Sequence, residues 1–351
     1  MKNPLLILAG VVVCSISIPI LISVVSYDDI NVSTQVKEIK EVATKTPVVN
    51  TKKEKEKEVI NYETIDKKTP TINVYNHKLG KIQAMNMEEY LYGVLAGEMS
   101  SEFDIEALKA QALAARTYVK YKENQGPNSK HRNALVCTDF RHCQEYKSPE
   151  ELEKKNGKAW MENSYKKIKQ AVNETKGQII TYKGKPILTL YFSTSSGKTE
   201  NSEEVFSSAY PYLKSVDSPY DKSAPKYISA LELSNSDFVN LFKKSYGNIK
   251  IDAGNLSNQV KIKKRSEGGA VESIKIGNKE IKGTDVRSIL NLNSANFDMK
   301  FENNSVKINV KGYGHGVGMS QWGAQGMAEE GYKYYEILSH YYTGTNITDI
   351  Y

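Results

Sequence analysis

Four stretches of this chain hold residue types that could do chemistry. The first contains Glu98, in GEMSSEF, which closes an apolar run with Tyr92, Val94, Leu95 and Ala96. Apolar neighbours desolvate a carboxyl group and raise its pKa, and a carboxylic acid still protonated near neutral pH can act as a general acid. A glutamate at a corner between helices is more commonly solvated, so this reading needs company. Glu102, one helical turn on, is either a second carboxylate or an ordinary first-turn charge.

The second stretch, YFSTSSGKTE at 191–200, gathers Ser193, Thr194, Ser195, Ser196 and Thr199. Such hydroxyls suit a sugar or a peptide backbone, and they equally suit a polar loop. The G-x-S-x-G elbow of a serine hydrolase is absent. The third, GYGHGVGMSQWGAQG, alternates glycines at 312, 314, 316 and 318 before a helix signal. It fits neither a dinucleotide fingerprint nor a P-loop. Its glycines let backbone approach a ligand or a neighbouring element, with His315 and Gln321 on display. A buried, hydrogen-bonded structural histidine is the alternative.

The fourth stretch is H-x5-C-x4-H-C: His131, Cys137, His142 and Cys143. Two cysteines and two histidines complete a tetrahedral Zn²⁺ shell, which would be structural because no position stays open for water. In an oxidising compartment Cys137 and Cys143 could instead form a disulfide. The otherwise unexplained histidines favour zinc, while the adjacent His142–Cys143 pair is awkward for one metal.

These residues must be carried by a mixed set of elements. TINVYNHKLGKIQAMN from Thr71 is strand-like; Asn86 and Glu89 have capping-box spacing for a helix over MEEYLYGVLAGEM. Asp104 is placed to cap a longer helix, in which Ile105, Leu108, Ala112, Ala115 and Val119 repeat at helical spacing as a buried stripe. Hairpins are expected at Lys183-Gly184 and Gly268-Gly269, a short helix from Thr284, a strand over SVKINV, and two helices around WGAQGMAEE and YKYYEILSHYY. Helices and antiparallel hairpins segregate along the chain, so the expected class is α+β, as a two-lobed domain with a substrate cleft.

Upstream, Leu5 to Val25 runs 21 residues without a charge. As a helix that length crosses a hydrocarbon core of roughly 30 Å. The run is longer than a signal-peptide core and lacks a good cleavage site, so an uncleaved anchor is favoured over a signal peptide. Lys2 precedes it and no lysine follows before Lys37, which puts the N-terminus in the cytoplasm and the body outside. The expected organisation is cytoplasmic N-terminus and transmembrane anchor at 1–27, a charged disordered stalk at 28–70, and a globular ectodomain at 71–351. The 351 residues carry 48 Lys+Arg against 41 Asp+Glu, for a net charge of +7. With 39% apolar residues the chain as a whole is not disordered, and with three cysteines it is no disulfide scaffold. Only five of the basic residues are arginines, which argues against a nucleic-acid reader. A lysine excess suits work near an anionic surface.

Taken together, GVLAGEMSSEF…ALKAQALAARTYV, LYFSTSSGKTE and GYGHGVGMSQWGAQGMA resemble, in order, the stage II sporulation protein D family. The resemblance covers roughly residues 70–351 and implies a membrane-anchored peptidoglycan lytic transglycosylase of engulfment in endospore formers. It would act on glycan strands stripped of stem peptides by an amidase, stage II sporulation protein P, with stage II sporulation protein M as membrane scaffold. Carried over by motif, Glu98 becomes the catalytic acid, and Gln111, Arg116, Ser193, Ser195, His315 and Gln321 become substrate contacts. Five helical steps put Gln111 and Arg116 roughly 140° apart, so one of them is expected to be structural. Zinc is not part of what the resemblance implies. Two further readings compete: a non-catalytic glycan-binding module that stimulates a partner amidase, and a zinc amidase or peptidase, which the missing H-E-x-x-H disfavours.

Overall fold

The structure, a computed structural model, describes residues 69–206 and 208–351. The expected anchor, and the stalk up to residue 68, lie outside the described residues. Among the described residues no helix is long and apolar enough to cross a membrane.

The fold is α+β, and its strand pairs are antiparallel apart from two short parallel ones, each two residues long. The hairpin Thr71–Asn76 with Lys81–Asn86 delivers the chain into helix α1, Met87–Glu98. The Asn86 side chain accepts hydrogen bonds from the backbone N–H of Glu88 and Glu89, so the expected N-cap is formed. Asp104 likewise caps helix α2, Ile105–Gln125.

Of the stripe expected on α2, Leu108, Ala112, Ala115 and Val119 are fully inaccessible and Ile105 is half-buried, but Ala110, Leu113 and Ala114 on other faces are inaccessible too. A helix buried on all sides becomes the axis of a core. Around it pack α1, the helices Ser164–Glu174, Gln321–Glu329 and Tyr334–Tyr341, and the strand Gln178–Tyr182. Truncating Leu113 to Ala at this axis removes contacts on every side, at a cost of about 2–5 kcal/mol.

A second core lies in the segment from Ile228 to Lys311. Strands Ile228–Ser234, Ser305–Lys311 and Phe297–Phe301 form one sheet, and Val260–Arg265, Val271–Ile276 and Lys279–Lys282 another. Phe238 and Phe242 from helix Asn235–Ser245, with Ile274, Val286 and Phe297, fill the interior. This body is inserted between the hydroxyl stretch and the glycine loop, and Gly312 N–H donating to Tyr227 C=O closes its base.

Two sequence expectations change in detail. The hairpin at Lys183-Gly184 forms, but its return strand is only Lys185–Pro186, since Pro186 has no N–H to continue the ladder. The next residues, Tyr191–Phe192, pair instead in parallel with Met319–Ser320. Three short helices, Pro149–Asn156, Lys158–Glu162 and Ser164–Glu174, occupy a stretch for which no elements were expected.

Candidate functional site

Glu98 is the last residue of α1 and is held there by contacts from three distant parts of the chain. Glycines one helical turn apart, Gly93 and Gly97, leave a smooth strip on α1. A Cβ on Gly97 would stand 2.8 Å from Glu145 Cγ, and one on Gly93 would stand 2.6 Å from the Lys147 carbonyl oxygen. Without those atoms, the Glu145–Lys147 segment lies flat on the helix, with Lys147 N–H donating to Gly93 C=O. Glu145 N–H then donates to Glu98 Oε1 at 2.7 Å. The Gln321 side chain and the Tyr191 hydroxyl lie beside the carboxyl group and favour its ionised form. The single Tyr191 hydroxyl proton goes to Gln144 Oε1 at 2.9 Å, so toward Glu98 the phenol is a close polar neighbour.

Burial pushes the Glu98 carboxyl up to about 7, with repulsion from the Glu145 carboxylate adding to it; the Glu145 N–H, Gln321 and Tyr191 hold the rise back. The sequence places the apolar run of α1 before Glu98, and Val94 and Leu95 do enter the core. Partners from residues 145, 191 and 321 meet the carboxyl itself. Burial likewise raises the Tyr191 phenol well above its ordinary value, so it stays a donor.

Glu98 opens into a cleft of about 420 Å³, lined also by Ser193, Gln321, Tyr191, Phe140, Tyr313, His315 and Arg287. That volume is in the range of small-ligand sites, roughly 300–1,000 Å³. Among the described lining residues Glu98 is the single carboxylate. Glu102 is exposed and does not line the cleft, so the second-carboxylate reading has no geometric support.

The glycine loop lines the cleft through Tyr313, Gly314 and His315. Gly312, Gly314, Gly316 and Gly318 all have positive φ, between 79° and 123°, which explains why the glycines alternate. At Gly314 a Cβ would also meet Phe192 Cβ at 2.7 Å. His315 lies between the rings of Phe192 and Phe206. Its Nδ1 accepts from Val317 N–H at 3.2 Å, and the ring bonds the Tyr191 backbone. Burial, helped by the nearby Arg287 cation, brings the imidazole down to about 4, so it is neutral at pH 7. His315 is hydrogen-bonded within its own loop and also lines the cleft.

Gln321 follows Ser320, which caps helix Gln321–Glu329 by accepting from Gly323 N–H at 3.2 Å. Ser320 Oγ also donates to Asp221 Oδ1. Asp221 is fully buried and accepts from Ser195 N–H at 2.6 Å and Ser218 Oγ at 2.6 Å. This carboxylate therefore ties the hydroxyl stretch to the start of the Gln321 helix. Nothing in its local sequence, SPYDKS, marks it for that part.

Three sequence-derived substrate contacts are placed elsewhere. Ser195 is 1% exposed, and its Oγ accepts from Gly197 N–H, so it shapes the turn. Arg116 is fully buried and forms a bidentate pair with Glu88, Nε–Oε1 at 2.8 Å and Nη2–Oε2 at 2.6 Å. It donates also to the carbonyls of Val172 and Gln178, stapling α1 and α2 to the following helix and strand. Gln111 is fully buried in α2, with neither polar atom hydrogen-bonded among the described residues. None of the three lines the cleft or has side-chain surface open to it, so the geometry gives them a structural part. Ser193, by contrast, is on the cleft wall.

The Cys/His residues converge. The ligand atoms of His131, Cys137, His142 and Cys143 all lie within 4.8 Å of one another. His131 Nε2 is 2.6 Å from His142 Nδ1, and Cys143 Sγ stands 3.8 and 3.7 Å from these nitrogens. A tetrahedron with Zn–N near 2.1 Å and Zn–S near 2.3 Å has N···S edges of about 3.6 Å, so the sulfur spacings fit and the two nitrogens need to part slightly. Cys137, buried, and Cys143, half-buried, are not bonded to each other in this structure. Asp139 C=O accepts from both His142 and Cys143 N–H, and this turn brings the adjacent pair round to one centre. Cys143 also lines the cleft, one residue before Gln144 and two before Glu145.

A family model described as stage II sporulation protein matches residues 75–182, a stretch that holds Glu98 and all four Cys/His residues. The chain is 41% identical over 286 residues to the stage II sporulation protein D of Bacillus amyloliquefaciens, covering 82% of this chain and 81% of that one. It is 41% identical over 288 residues to the stage II sporulation protein D of Bacillus subtilis (strain 168), with the same shares. It is also 30% identical over 305 residues to a Bacillus subtilis (strain 168) protein named amidase enhancer, covering 74% of this chain and 40% of that protein.

Proposed function

This chain belongs to the stage II sporulation protein D family and so to sporulation, and on that premise we propose that it is a lytic transglycosylase of peptidoglycan glycan strands with Glu98 as its single acid and base. The observation that carries the proposal is Glu98 itself: the single carboxylate among the described cleft-lining residues, raised to about 7 by burial and already surrounded by donors. Glycosidases ordinarily use two carboxylates, one of them to activate water or attack carbon. With one, the acceptor must come from the substrate.

In the proposed reaction protonated Glu98 gives its proton to the glycosidic oxygen between MurNAc and GlcNAc. The C1–O bond breaks as positive charge develops at C1. The C6 hydroxyl of the same sugar attacks C1, and its proton passes to the Glu98 carboxylate. The products are a 1,6-anhydro-MurNAc end and a free GlcNAc hydroxyl, with no water consumed and Glu98 protonated again. Intramolecular attack replaces the second carboxylate by proximity. While Glu98 is ionised, the Glu145 N–H, Gln321 and Tyr191 hold its charge. Ser193, with the rings of Phe140 and Tyr313 on the cleft walls, offers hydrogen bonds and stacking to the sugars.

We propose zinc at His131, Cys137, His142 and Cys143. Bound there, it would close a four-ligand shell and act as a cross-link. These residues fix the start of the Gln144–Glu145 segment whose N–H reaches Glu98. The anchor, the cell-membrane location with the body outside, and partnership with stage II sporulation proteins P and M belong to the same proposal, from the family resemblance. A second reading draws on the likeness to the amidase enhancer: a glycan-binding module that stimulates an amidase through the same cleft.

The test is the mass of products formed from peptide-free glycan strands by the full-length protein, wild type beside Glu98→Gln. Anhydro-MurNAc ends from the wild type alone are expected. Reducing ends would mean that water is the acceptor and overturn the single-acid mechanism. Binding without cleavage, with an amidase still stimulated, would replace the proposal by the second reading.

A further inference from the structure

From Glu98 a line of buried polar groups leads into the protein. Tyr191, beside the carboxyl, donates its hydroxyl proton to Gln144 Oε1 at 2.9 Å, and the Gln144 side chain lies next to the Tyr90 hydroxyl. Gln144 and Tyr90 are both buried. Gln144 Nε2 and the Tyr90 hydroxyl have no hydrogen-bond partner among the described residues. Buried donors left unpaired are costly and rare, so two of them side by side, one residue removed from a catalytic carboxyl, call for a reason.

A chain of hydroxyl and amide groups can be satisfied in two directions. With Glu98 protonated, its O–H donates to the Tyr191 oxygen, Tyr191 OH to Gln144 Oε1, and Gln144 Nε2 to the Tyr90 oxygen. With Glu98 ionised the order reverses. Tyr90 OH then donates to Gln144 Oε1, Gln144 Nε2 to the Tyr191 oxygen, and Tyr191 OH to the carboxylate. Changing direction takes rotation of the two hydroxyls and a half-turn of the Gln144 amide about its Cγ–Cδ bond. Each residue except Glu98 keeps its own protons throughout. The bond from Tyr191 to Gln144 belongs to the first direction, that of the protonated acid. The two orphaned groups are those that the two directions supply with partners, and bonds chained in this way polarise one another.

On the reading of Glu98 as the acid and base of the cleft, we infer that Gln144 is a positioning residue, which holds the Tyr191 proton away from the protonated acid and releases it to the carboxylate once the acid has reacted. Before bond cleavage the Tyr191 hydroxyl then does nothing to favour early ionisation of Glu98. After the Glu98 proton has passed to the glycosidic oxygen, the hydroxyl turns and holds the negative charge until the C6 hydroxyl returns a proton. One phenol thereby serves both states of one carboxyl. Gln144 acts through Tyr191 and exchanges no proton with the substrate. It also lines the cleft, so the decisive measurement is made without substrate. The other titratable or charged groups around the carboxyl, Glu145, Cys143, Tyr118, Tyr313, His315 and Arg287, stay in place in every variant.

The test follows the Glu98 carboxyl by ¹³C NMR in full-length protein labelled at glutamate Cδ, its signal assigned by its absence from Glu98→Gln. Gln144→Met keeps the length of the side chain and removes the acceptor, which leaves Glu98 to take the Tyr191 proton. The Glu98 midpoint is expected to fall by about one pH unit. Tyr191→Phe removes a donor from the ionised form, so the midpoint is expected to rise. With Tyr191→Phe in place, Gln144→Met should move it no further. In the wild type the side-chain amide signals of Gln144 should shift with the Glu98 midpoint, and Glu98→Gln should abolish that shift. An unchanged or higher midpoint in Gln144→Met overturns the inference, as does a fall in Tyr191→Phe. So does an equal effect of Gln144→Met with and without Tyr191, which would make Gln144 a structural support of the Glu145 segment. Wild-type amide signals that ignore the Glu98 titration overturn it as well, whether or not the variants fold. None of these readouts needs turnover. Midpoints that move as expected in a protein that leaves peptide-free strands uncut keep this inference and remove the transglycosylase. Cleavage to anhydro-MurNAc ends, with the midpoint unmoved by Gln144→Met, does the reverse.

Discussion

Replacing Glu98 by glutamine separates the cost of burying this carboxylate from its chemistry. Folding moves the carboxyl from 4.5 to about 7. One pKa unit corresponds to about 1.4 kcal/mol, so the shift amounts to a cost on the order of 3 kcal/mol once the group is ionised in both states. Below pH 4.5 both folded and unfolded chains hold the proton and the cost vanishes. Between pH 4.5 and 7 the unfolded chain has released its proton while the folded one keeps it, so wild-type stability falls as pH rises. Above about pH 7 the full cost is present. Glutamine has nearly the same shape, keeps an acceptor for Glu145 N–H and does not titrate. Glu98→Gln is therefore expected to match the wild type near pH 4 and to exceed it by about 3 kcal/mol at pH 8, on the order of 5 °C in Tm. Urea unfolding read by the fluorescence of Trp322, the neighbour of Gln321, measures the difference across the range. On peptide-free strands the variant should be inactive at every pH, while the wild-type rate should fall about tenfold per pH unit above 7 as the acid form is depleted. Wild-type and variant stability curves that run parallel from pH 4 to 8.5 would refute the argument that burial sets this carboxyl's pKa.

Gly97→Ala puts a methyl group 2.8 Å from Glu145 Cγ, so the segment must lift off α1. Losing the Glu145 N–H removes a bond that lowers the Glu98 pKa; the alkaline limb of the pH–rate profile should move up while the maximal rate drops about tenfold, the worth of one such bond. Chelation of the proposed zinc should lower stability by at least about 4 kcal/mol, the linkage value for a metal at a thousand times its dissociation constant, and cobalt put back should show a thiolate charge-transfer band. A stable protein unchanged by chelator, with Cys137 and Cys143 disulfide-bonded, would reverse the metal assignment. Arg116→Gln leaves Glu88 buried and unpaired, so it should cost about 3–5 kcal/mol of stability, whereas a loss confined to substrate affinity would restore Arg116 to the cleft.

Much of the local structure was legible along the chain. Asn86 and Asp104 cap the helices that begin after them, because an N-cap needs only its own side chain and the next turn. The α+β class followed from the period of the apolar residues, and the tight turns at Lys183-Gly184 and Gly268-Gly269 from their glycines. The stretch at 149–174 was opaque because its helices are short and charged. The hydroxyl stretch looked uniform, yet Ser193 lines a cleft while Ser195 is buried two residues on. Alternation of that kind depends on which neighbours pack above and below, and these come from residues 221 and 320.

By itself the sequence determined the candidates: a glutamate after an apolar run, two cysteines and two histidines within thirteen positions, and a glycine-rich loop with His315 and Gln321. It determined the family as well, through the order of three motifs. Only the tertiary structure decided which of these residues meet. The Glu98 carboxyl is desolvated, bonded by Glu145 N–H and flanked by residues 191 and 321, and Arg287, which no motif singles out, reaches the cleft from the inserted segment. Helix caps and turns are settled by atoms a few bonds apart, and so can be read along the chain. The pKa of a buried carboxyl, the fate of Arg116 and the charge of a cleft depend on groups brought together from across the chain, and packing alone sets those distances.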